Sequence, residues 1–341
     1  MGTTTLRALV VCPGRGSYGR AQLGSLPRDS EVIQWLDAYR ASLGRSTLTE
    51  MDSAERFSPR AHLSGENASL LTFGASAADL SALDAEKVQV VAVTGNSMGW
   101  YTALYAAGAL GLDEAARLIE TMGAYQIGNV IGGQVLYPLV DEAWRPSATL
   151  QMAVETARRE PGVHLSIRLG GTAVLAGDRE AVKGLLSSMP PVERAGRTFP
   201  VQLPLHSAFH TPLLAGASER ALTELAELDL RAPAIPMIGG GGVGFRAWAD
   251  PADILRYTLT TQVTETYDFS AALRTALGDY GPDVVICLGP GDTMGGPVGQ
   301  VMAEIGWRGI HSFQDFLAAQ RSSAPPVIAM ARPDQRALVA R

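Results

Sequence analysis

Apolar runs and helical repeats alternate along this chain. Leu6 to Val11 reads as a buried strand, and the next convincing helix opens at Asp29-Ser30, with Val32, Ile33, Leu36, Tyr39 and Leu43 at helical spacing. Residues 45–85 are more polar and read as helices with loops around Pro59 and Gly65. Val88 to Val93 is a second strand-like run, and the alanine- and leucine-rich stretch from Trp100 to Ala107 reads as a helix. Gly111-Leu112-Asp113-Glu114 caps another helix, Ala115 to about Tyr125. This alternation predicts a parallel α/β sheet.

Around Gly132-Gly133 the texture changes. Strands at Gln134 to Leu139, Val163 to Arg168, Thr172 to Leu175 and Glu193 to Phe199 enclose helices at Ala148 to Arg159 and Asp178 to Ser187. Antiparallel strands with two helices fit a ferredoxin-like insert. From Val201 the α/β texture resumes, with strand-like runs at Ile235 to Ile238 and Val284 to Leu288. The expected division is a large domain of residues 1–130 and 202–322, a small domain of 131–201, and a Pro- and Arg-rich tail, 323–341, loosely attached.

The junction of the second strand and its helix carries the chemistry. Gly95-Asn96-Ser97-Met98-Gly99 between strand and helix is a nucleophile elbow. Its turn is so sharp that the flanking residues must lack side chains, and it sets the Ser97 hydroxyl over a helix N-terminus. A second glycine run, Gly14-Arg15-Gly16-Ser17-Tyr18-Gly19, matches a dinucleotide fingerprint in letters only. The helix that should open there is interrupted by Gly24 and Pro27, so the run reads as a loop offering N–H groups to the active site.

Composition narrows the picture. With 341 residues, 46% hydrophobic and 18% charged, the chain suits a compact enzyme of more than one core. A net charge of −6 gives no electrostatic case for nucleic acid. Cys12 and Cys287 each sit in apolar runs, which suggests a reducing compartment and no structural metal. Leu9-Val10-Val11 is cut short by Cys12-Pro13-Gly14, and Met1 to Leu6 lacks a myristoylation signal. A cytoplasmic protein without membrane partners is expected.

Several stretches together resemble the malonyl-CoA:acyl-carrier-protein transacylase family, which includes the acyltransferase domains of polyketide and fatty acid synthases. They are Pro13-Gly14-Arg15-Gly16-Ser17, Gly95 to Trp100, Pro204-Leu205-His206-Ser207 with Pro212, and Gly289-Pro290-Gly291, in the family's order over roughly residues 6–315. The resemblance implies an α/β-hydrolase-like large domain, a ferredoxin-like small domain and an active site between them. It implies Ser97 as nucleophile, His206 as general base, and backbone N–H groups of Met98 and Arg15 as oxyanion hole. His210, where the family usually has methionine, reads as a cleft-wall residue rather than a second base. In the family a backbone carbonyl of the segment aligned with Thr266 to Phe269 commonly orients the histidine; Asp268 there either completes a Ser-His-Asp triad or is a surface acid whose backbone alone matters.

The sequence departs from the pattern on the helix after the elbow. Met122 stands where malonyl-specific members carry an arginine for the free carboxylate, and Arg117 lies on another face. Losing one partner of a desolvated pair costs on the order of 3–5 kcal/mol, so an acyl group uncharged at its far end is expected. Arg168 or the side chain of Arg15 either replaces the missing arginine or is solvated. Trp100 and Asn96 replace the motif's glutamate and histidine, and Leu205 sits beside the expected base; all three are candidate pocket residues with Met122. The resemblance implies ping-pong transfer from an acyl-CoA or acyl-carrier donor to the phosphopantetheine of an acyl carrier protein, with no further cofactor, in polyketide or related secondary metabolism. The alternatives are a carrier thioester hydrolase, a malonyl transferase with a relocated arginine, and a non-catalytic carrier-binding module.

Overall fold

A computed structural model describes residues 5–125, 130–194 and 196–341, and thirteen strands are found among the described residues. The stretch Met1 to Thr4, part of the segment tested for a myristoylation signal, lies outside the described residues. In chain order the strands begin with β1 (Leu6–Cys12), β2 (Val88–Gly95), β3 (Gly133–Pro138), β4 (His164–Leu169), β5 (Thr172–Gly177), β6 (Val192–Arg194) and β7 (Arg197–Phe199). They continue with β8 (Val201–Gln202), β9 (Met237–Ile238), β10 (Gly244–Phe245), β11 (Tyr267–Asp268), β12 (Val284–Cys287) and β13 (Val327–Ala329).

Six strands form the large sheet in the order β10-β9-β2-β1-β12-β13, parallel except for the β9–β10 pair at one edge. β1 is central, and Ala8 to Cys12 have no solvent exposure, as a strand covered on both faces requires. Its register with β12 sets Val11 opposite Cys287, and burial pushes both cysteine thiols up in pKa. Around this sheet pack Glu31–Ser42, capped where Ser30 predicted, and Gly65–Ala82, Gly99–Ala106 and Leu112–Ala124. The last begins three residues before the expected Ala115, because Gly111 is itself its N-cap. Among the described residues no helix is long and apolar enough to cross a membrane.

The small sheet runs β11-β4-β5-β3-β8. β3, the Ala148–Ala157 helix, β4, β5, the Arg179–Ser188 helix and β8 give the βαββαβ order of a ferredoxin-like unit, and the large domain lends β11 to its edge. The fold is therefore α/β with a parallel large sheet and an inserted ferredoxin-like unit, as expected. One face of the small sheet has its own core, with Val135, Tyr137, Leu165, Ala173 and Leu175 against the two helices. A bulge between Leu165 and Ile167 reverses the alternation, so Ile167 and Leu169 turn to the opposite face with Leu136 and Val174.

Two expectations need correction. The strand predicted at 193–199 is the separate hairpin β6–β7, because Gly196, at φ 73°, reverses the chain inside it. The tail is not loosely attached. β13 adds to the large sheet beside β12, Val339 and Ala340 are buried, and Arg336 pairs with Asp79. Asp79 in turn accepts from the Gly289 amide at 2.7 Å, so the tail braces the Gly289-Pro290-Gly291 turn.

Candidate active site

Close backbone packing dictates the elbow. A Cβ on Gly95 would lie 2.1 Å from the Gly99 carbonyl oxygen, and one on Gly99 would lie 2.2 Å from that of Cys12. No other residue fits either place. Between them Ser97 is held at φ 54°, the left-handed region that a side chain adopts at a cost. The carbonyl of Ser97 accepts from the Trp100 amide at 2.9 Å and from Gln262 Nε2 at 3.0 Å, so both ends of the turn are fixed.

The histidine that meets Ser97 is His210. Its Nε2 lies 2.7 Å from Ser97 Oγ, and its Nδ1 lies 2.5 Å from the carbonyl oxygen of Gln262. A carbonyl can only accept, so Nδ1 carries the proton and Nε2 holds a lone pair toward the serine hydroxyl. The imidazole is 1% exposed, and burial pushes its pKa down to about 4 against a smaller opposing effect of the Gln262 carbonyl. It is neutral at pH 7, the state a proton acceptor needs.

His206, expected in that role, lines the same cavity without a hydrogen bond to Ser97 among the described residues. Its Nδ1 lies 2.9 Å from the carbonyl of Pro204, and burial followed by the nearby Arg15 charge pushes its pKa down to about 3. Arg15 Nη2 donates to the Leu205 carbonyl at 2.6 Å and so fixes the segment that carries His206. Leu205 at φ 55° and His210 at φ 61° turn the chain twice within six residues, bringing the second histidine rather than the first to Ser97. Ala208 and Phe209, apolar immediately before His210, were the available sign that this histidine is the buried one.

Of the two readings of Asp268, the structure shows the acid that stands away from the histidines. Asp268 caps the Phe269–Tyr280 helix by accepting from the Ala271 amide and pairs with Arg168 at 3.6 Å. The orienting group is a backbone carbonyl, but that of Gln262. Arg168 is opposite Asp268 in the β4–β11 register, half exposed, and outside the cavity wall. The bulge that turns Ile167 and Leu169 to the cavity leaves Arg168 on the side of Ala173.

The cavity between the two sheets has a volume of about 450 Å³. Ser97, Met98, Arg15, Asn96, Met122, His206 and His210 line it, whereas Trp100, Leu205, Arg168 and Asp268 do not. Trp100 is fully buried behind the elbow helix, its Nε1 donating to Thr258 Oγ1 at 2.9 Å and its ring against Phe245 and Tyr257. Leu205 is 40% exposed and contributes its carbonyl to Arg15. Met122 is 3% exposed on the Leu112–Ala124 helix. That helix is fixed in rotation by Glu120, which meets Arg40 and Arg45 on another face. Arg117 points away, to Glu114 and the Glu224 carbonyl. Met98 is the N-cap of the elbow helix, Arg15 opens the short Arg15–Ser17 helix, and both line the cavity with Ser97. Missed from the sequence were Gln262, Tyr101, whose hydroxyl donates to Gln262 Oε1 at 3.0 Å, and the apolar wall of Ile119, Leu136 and Val174.

The fold and the site define a class: an α/β protein carrying a serine on a nucleophile elbow within hydrogen-bond reach of a neutral histidine. No protein-family model matches the chain. It is 26% identical over 291 residues to the malonyl CoA-acyl carrier protein transacylase of Salmonella typhimurium, covering 81% of this chain and 89% of that one. It is 29% identical over 227 residues to polyketide synthase GfsB of Streptomyces halstedii, a match over 64% of this chain and 4% of that protein. Among solved structures, the malonyl-CoA:ACP transacylase of Synechocystis aligns with a TM-score of 0.74 at 17% identity, over 97% of this chain and 99% of that one. The acyl-carrier-protein S-malonyltransferase of Burkholderia pseudomallei aligns with a TM-score of 0.74 at 22% identity, over 98% and 99%. The homologues and structural neighbours of this chain are thus acyltransferases of the malonyl-CoA:acyl-carrier-protein transacylase type and polyketide synthases, and the low identities fit a divergent member.

Proposed function

We propose that this protein moves an acyl group from a thioester, on CoA or a carrier protein, through a Ser97 ester to the phosphopantetheine thiol of an acyl carrier protein. The observation that carries the reading is the 2.7 Å contact between Ser97 Oγ and His210 Nε2, with Nδ1 held by the Gln262 carbonyl. His210 takes the hydroxyl proton as Oγ bonds to the thioester carbon. The backbone N–H groups of Met98 and Arg15 are assigned to the resulting oxyanion. Collapse breaks the C–S bond, and His210 returns the proton to the leaving thiolate. In the second half the carrier thiol gives His210 its proton and attacks the ester carbon. The C–O bond breaks, and Ser97 recovers its proton.

The acyl group in this reading is uncharged at its far end. Met122 in the cavity wall and Arg168 paired with Asp268 support that choice over malonyl, and Arg15 and Arg197, which also line the cavity, are the cations a malonyl reading would use instead. The apolar wall supports transfer over hydrolysis, because it disfavours water at the ester until a thiol arrives. Similarity to a polyketide synthase supports a place in polyketide or related biosynthesis. Intact-mass spectrometry after mixing with a panel of acyl-CoA thioesters tests the reading. An adduct should appear on the wild type and be absent from Ser97→Ala. Equal transfer by both proteins would refute it.

A further inference from the structure

One carboxamide interrupts the apolar face that the small sheet turns to the cavity. Gln134, on β3, lines the cavity with Leu136 and is 2% exposed. Its Nε2 donates to Ser166 Oγ at 2.7 Å and reaches the Phe209 carbonyl at 3.5 Å. Ser166, fully buried, is the extra residue of the β4 bulge, and its hydroxyl donates to that same carbonyl at 2.9 Å. That proton is therefore spent, and Ser166 Oγ can only accept from Gln134. The Phe209 carbonyl thus fixes which way the carboxamide faces, with its nitrogen to Ser166 and its oxygen away from it.

Gln134 Oε1 has no hydrogen-bond partner among the described residues, yet it is not sealed from solvent. In a residue this buried, the accessible oxygen faces the cavity that the residue lines. Buried polar atoms are paired in nearly all folded proteins, so an open acceptor in a cavity wall points to a donor on the ligand. A carboxylate has no proton to give, so this oxygen and the cations of the same cavity, Arg15 and Arg197, select different groups. The place of the donor follows from His210. Phe209 and His210 are consecutive, so the carboxamide stands at the base. His210 returns its proton to the leaving thiolate, which puts the sulfur beside the base and the chain behind the sulfur along this wall. In CoA and in the phosphopantetheine of a carrier, the first donor behind the sulfur is the same amide N–H, two carbons away.

We infer that Gln134 Oε1 accepts from the pantetheine amide N–H nearest the sulfur, so that Gln134 distinguishes pantetheine thioesters from other thioesters. This rests on the acyl-transfer reading above and names how that site holds its thiol arm. The contact serves both halves of the reaction, because the donor thioester and the accepting carrier bear the same arm. The same chemistry has one other source, a hydroxyl on the acyl chain, and the test separates the two.

The experiment measures Ser97 ester formation from the butyryl thioesters of N-acetylcysteamine and of 2-acetoxyethanethiol, which differ only in N–H against O. It compares the wild type with Gln134→Met, of nearly the same length, and adds the 3-hydroxybutyryl thioester of N-acetylcysteamine. The wild type should load from the amide about 10- to 100-fold faster in kcat/KM than from the ester. The preference should collapse in Gln134→Met, whose melting temperature is checked alongside. A ratio of two substrates within one protein does not move with a general loss of structure, and the wild-type comparison requires no variant to fold. If the wild type loads both alike, or Gln134→Met keeps the preference, Gln134 does not read the amide and the inference falls. If the wild type instead prefers 3-hydroxybutyryl to butyryl and Gln134→Met loses that preference, the donor is on the acyl chain and the pantetheine assignment is overturned. Absence of any Ser97 ester, from these donors and from butyryl-CoA, would refute the acyl-transfer reading and the inference with it.

Discussion

Two histidines four residues apart line one cavity, and only His210 reaches Ser97, so exchanging them one at a time tests the site most directly. General-base catalysis by a positioned imidazole contributes about 10²- to 10⁴-fold, so His210→Gln should slow acyl-enzyme formation by that factor. His206→Ala should change it only a few-fold, because the Nδ1 of His206 is spent on Pro204 and no hydrogen bond links its ring to Ser97 among the described residues. The pH profile supplies a second readout. With its pKa pushed down to about 4, His210 is unprotonated across neutral pH, so wild-type loading should hold its rate from pH 8 to pH 6. The acid limb should fall near pH 4, about two and a half units below that of an ordinary histidine at 6.5. Stopped-flow detection of the thiol released on loading, at saturating acyl-CoA, measures both. The exchange also carries a folding risk. Losing the imidazole leaves the buried Gln262 carbonyl without its donor, a cost of about 1–3 kcal/mol, so melting temperatures must accompany the rates. A His206→Ala loss as large as that of His210→Gln, with both proteins folded, would refute the assignment. An acid limb near 6.5 would refute the account of His210 burial.

Two further outcomes follow from the same geometry. Met122→Arg should raise malonyl loading relative to butyryl loading at least tenfold, while lowering the melting temperature because it buries a guanidinium in an apolar wall; an unchanged ratio would show that Met122 does not set the acyl end. In unfolded chain His210 titrates near 6.5 and in the fold near 4, so the unfolded state binds the extra proton between those values and stability falls as pH drops through that window. The loss from this residue is roughly 3 kcal/mol, read as the difference in urea unfolding between wild type and His210→Gln at pH 7 and pH 4. That subtraction removes Asp79 and Glu120, whose burial-raised carboxyls act with the opposite sign.

What was legible in the sequence was what is decided locally. The elbow could be read because Gly95 and Gly99 are forced by contacts within a few residues and with the adjoining strand. The ferredoxin-like unit could be read because its strands and helices carry their own apolar periods. The tail was misread because Pro- and Arg-rich composition masked Val327-Ile328-Ala329-Met330, a buried run as apolar as any interior strand. Arg168 stayed open between cavity and solvent because one extra residue in β4 reverses which side chains face the cavity, and no local pattern announces a bulge.

The choice between the histidines was of another kind, since it depends on a residue far along the chain. Gln262 is 52 positions from His210 and 165 from Ser97, yet it bonds both: its carbonyl holds His210 Nδ1 and its Nε2 holds the Ser97 carbonyl. Tyr101, on the elbow helix, fixes the remaining Oε1. The side chain and main chain of one residue thus set nucleophile and base against each other. The requirement this places on the sequence is weak, because any residue supplies a carbonyl and only the side-chain bonds demand glutamine. A motif search for an acid near the base finds Asp268, which has the chemistry of a triad member and is occupied by Arg168 and a helix terminus. Orientation by a carbonyl leaves no charged signature to find, and it keeps the buried His210 free of a neighbouring carboxylate that would raise its pKa toward the working range. Burial sets the low pKa of the base, and a carbonyl in place of a carboxylate opposes it only weakly.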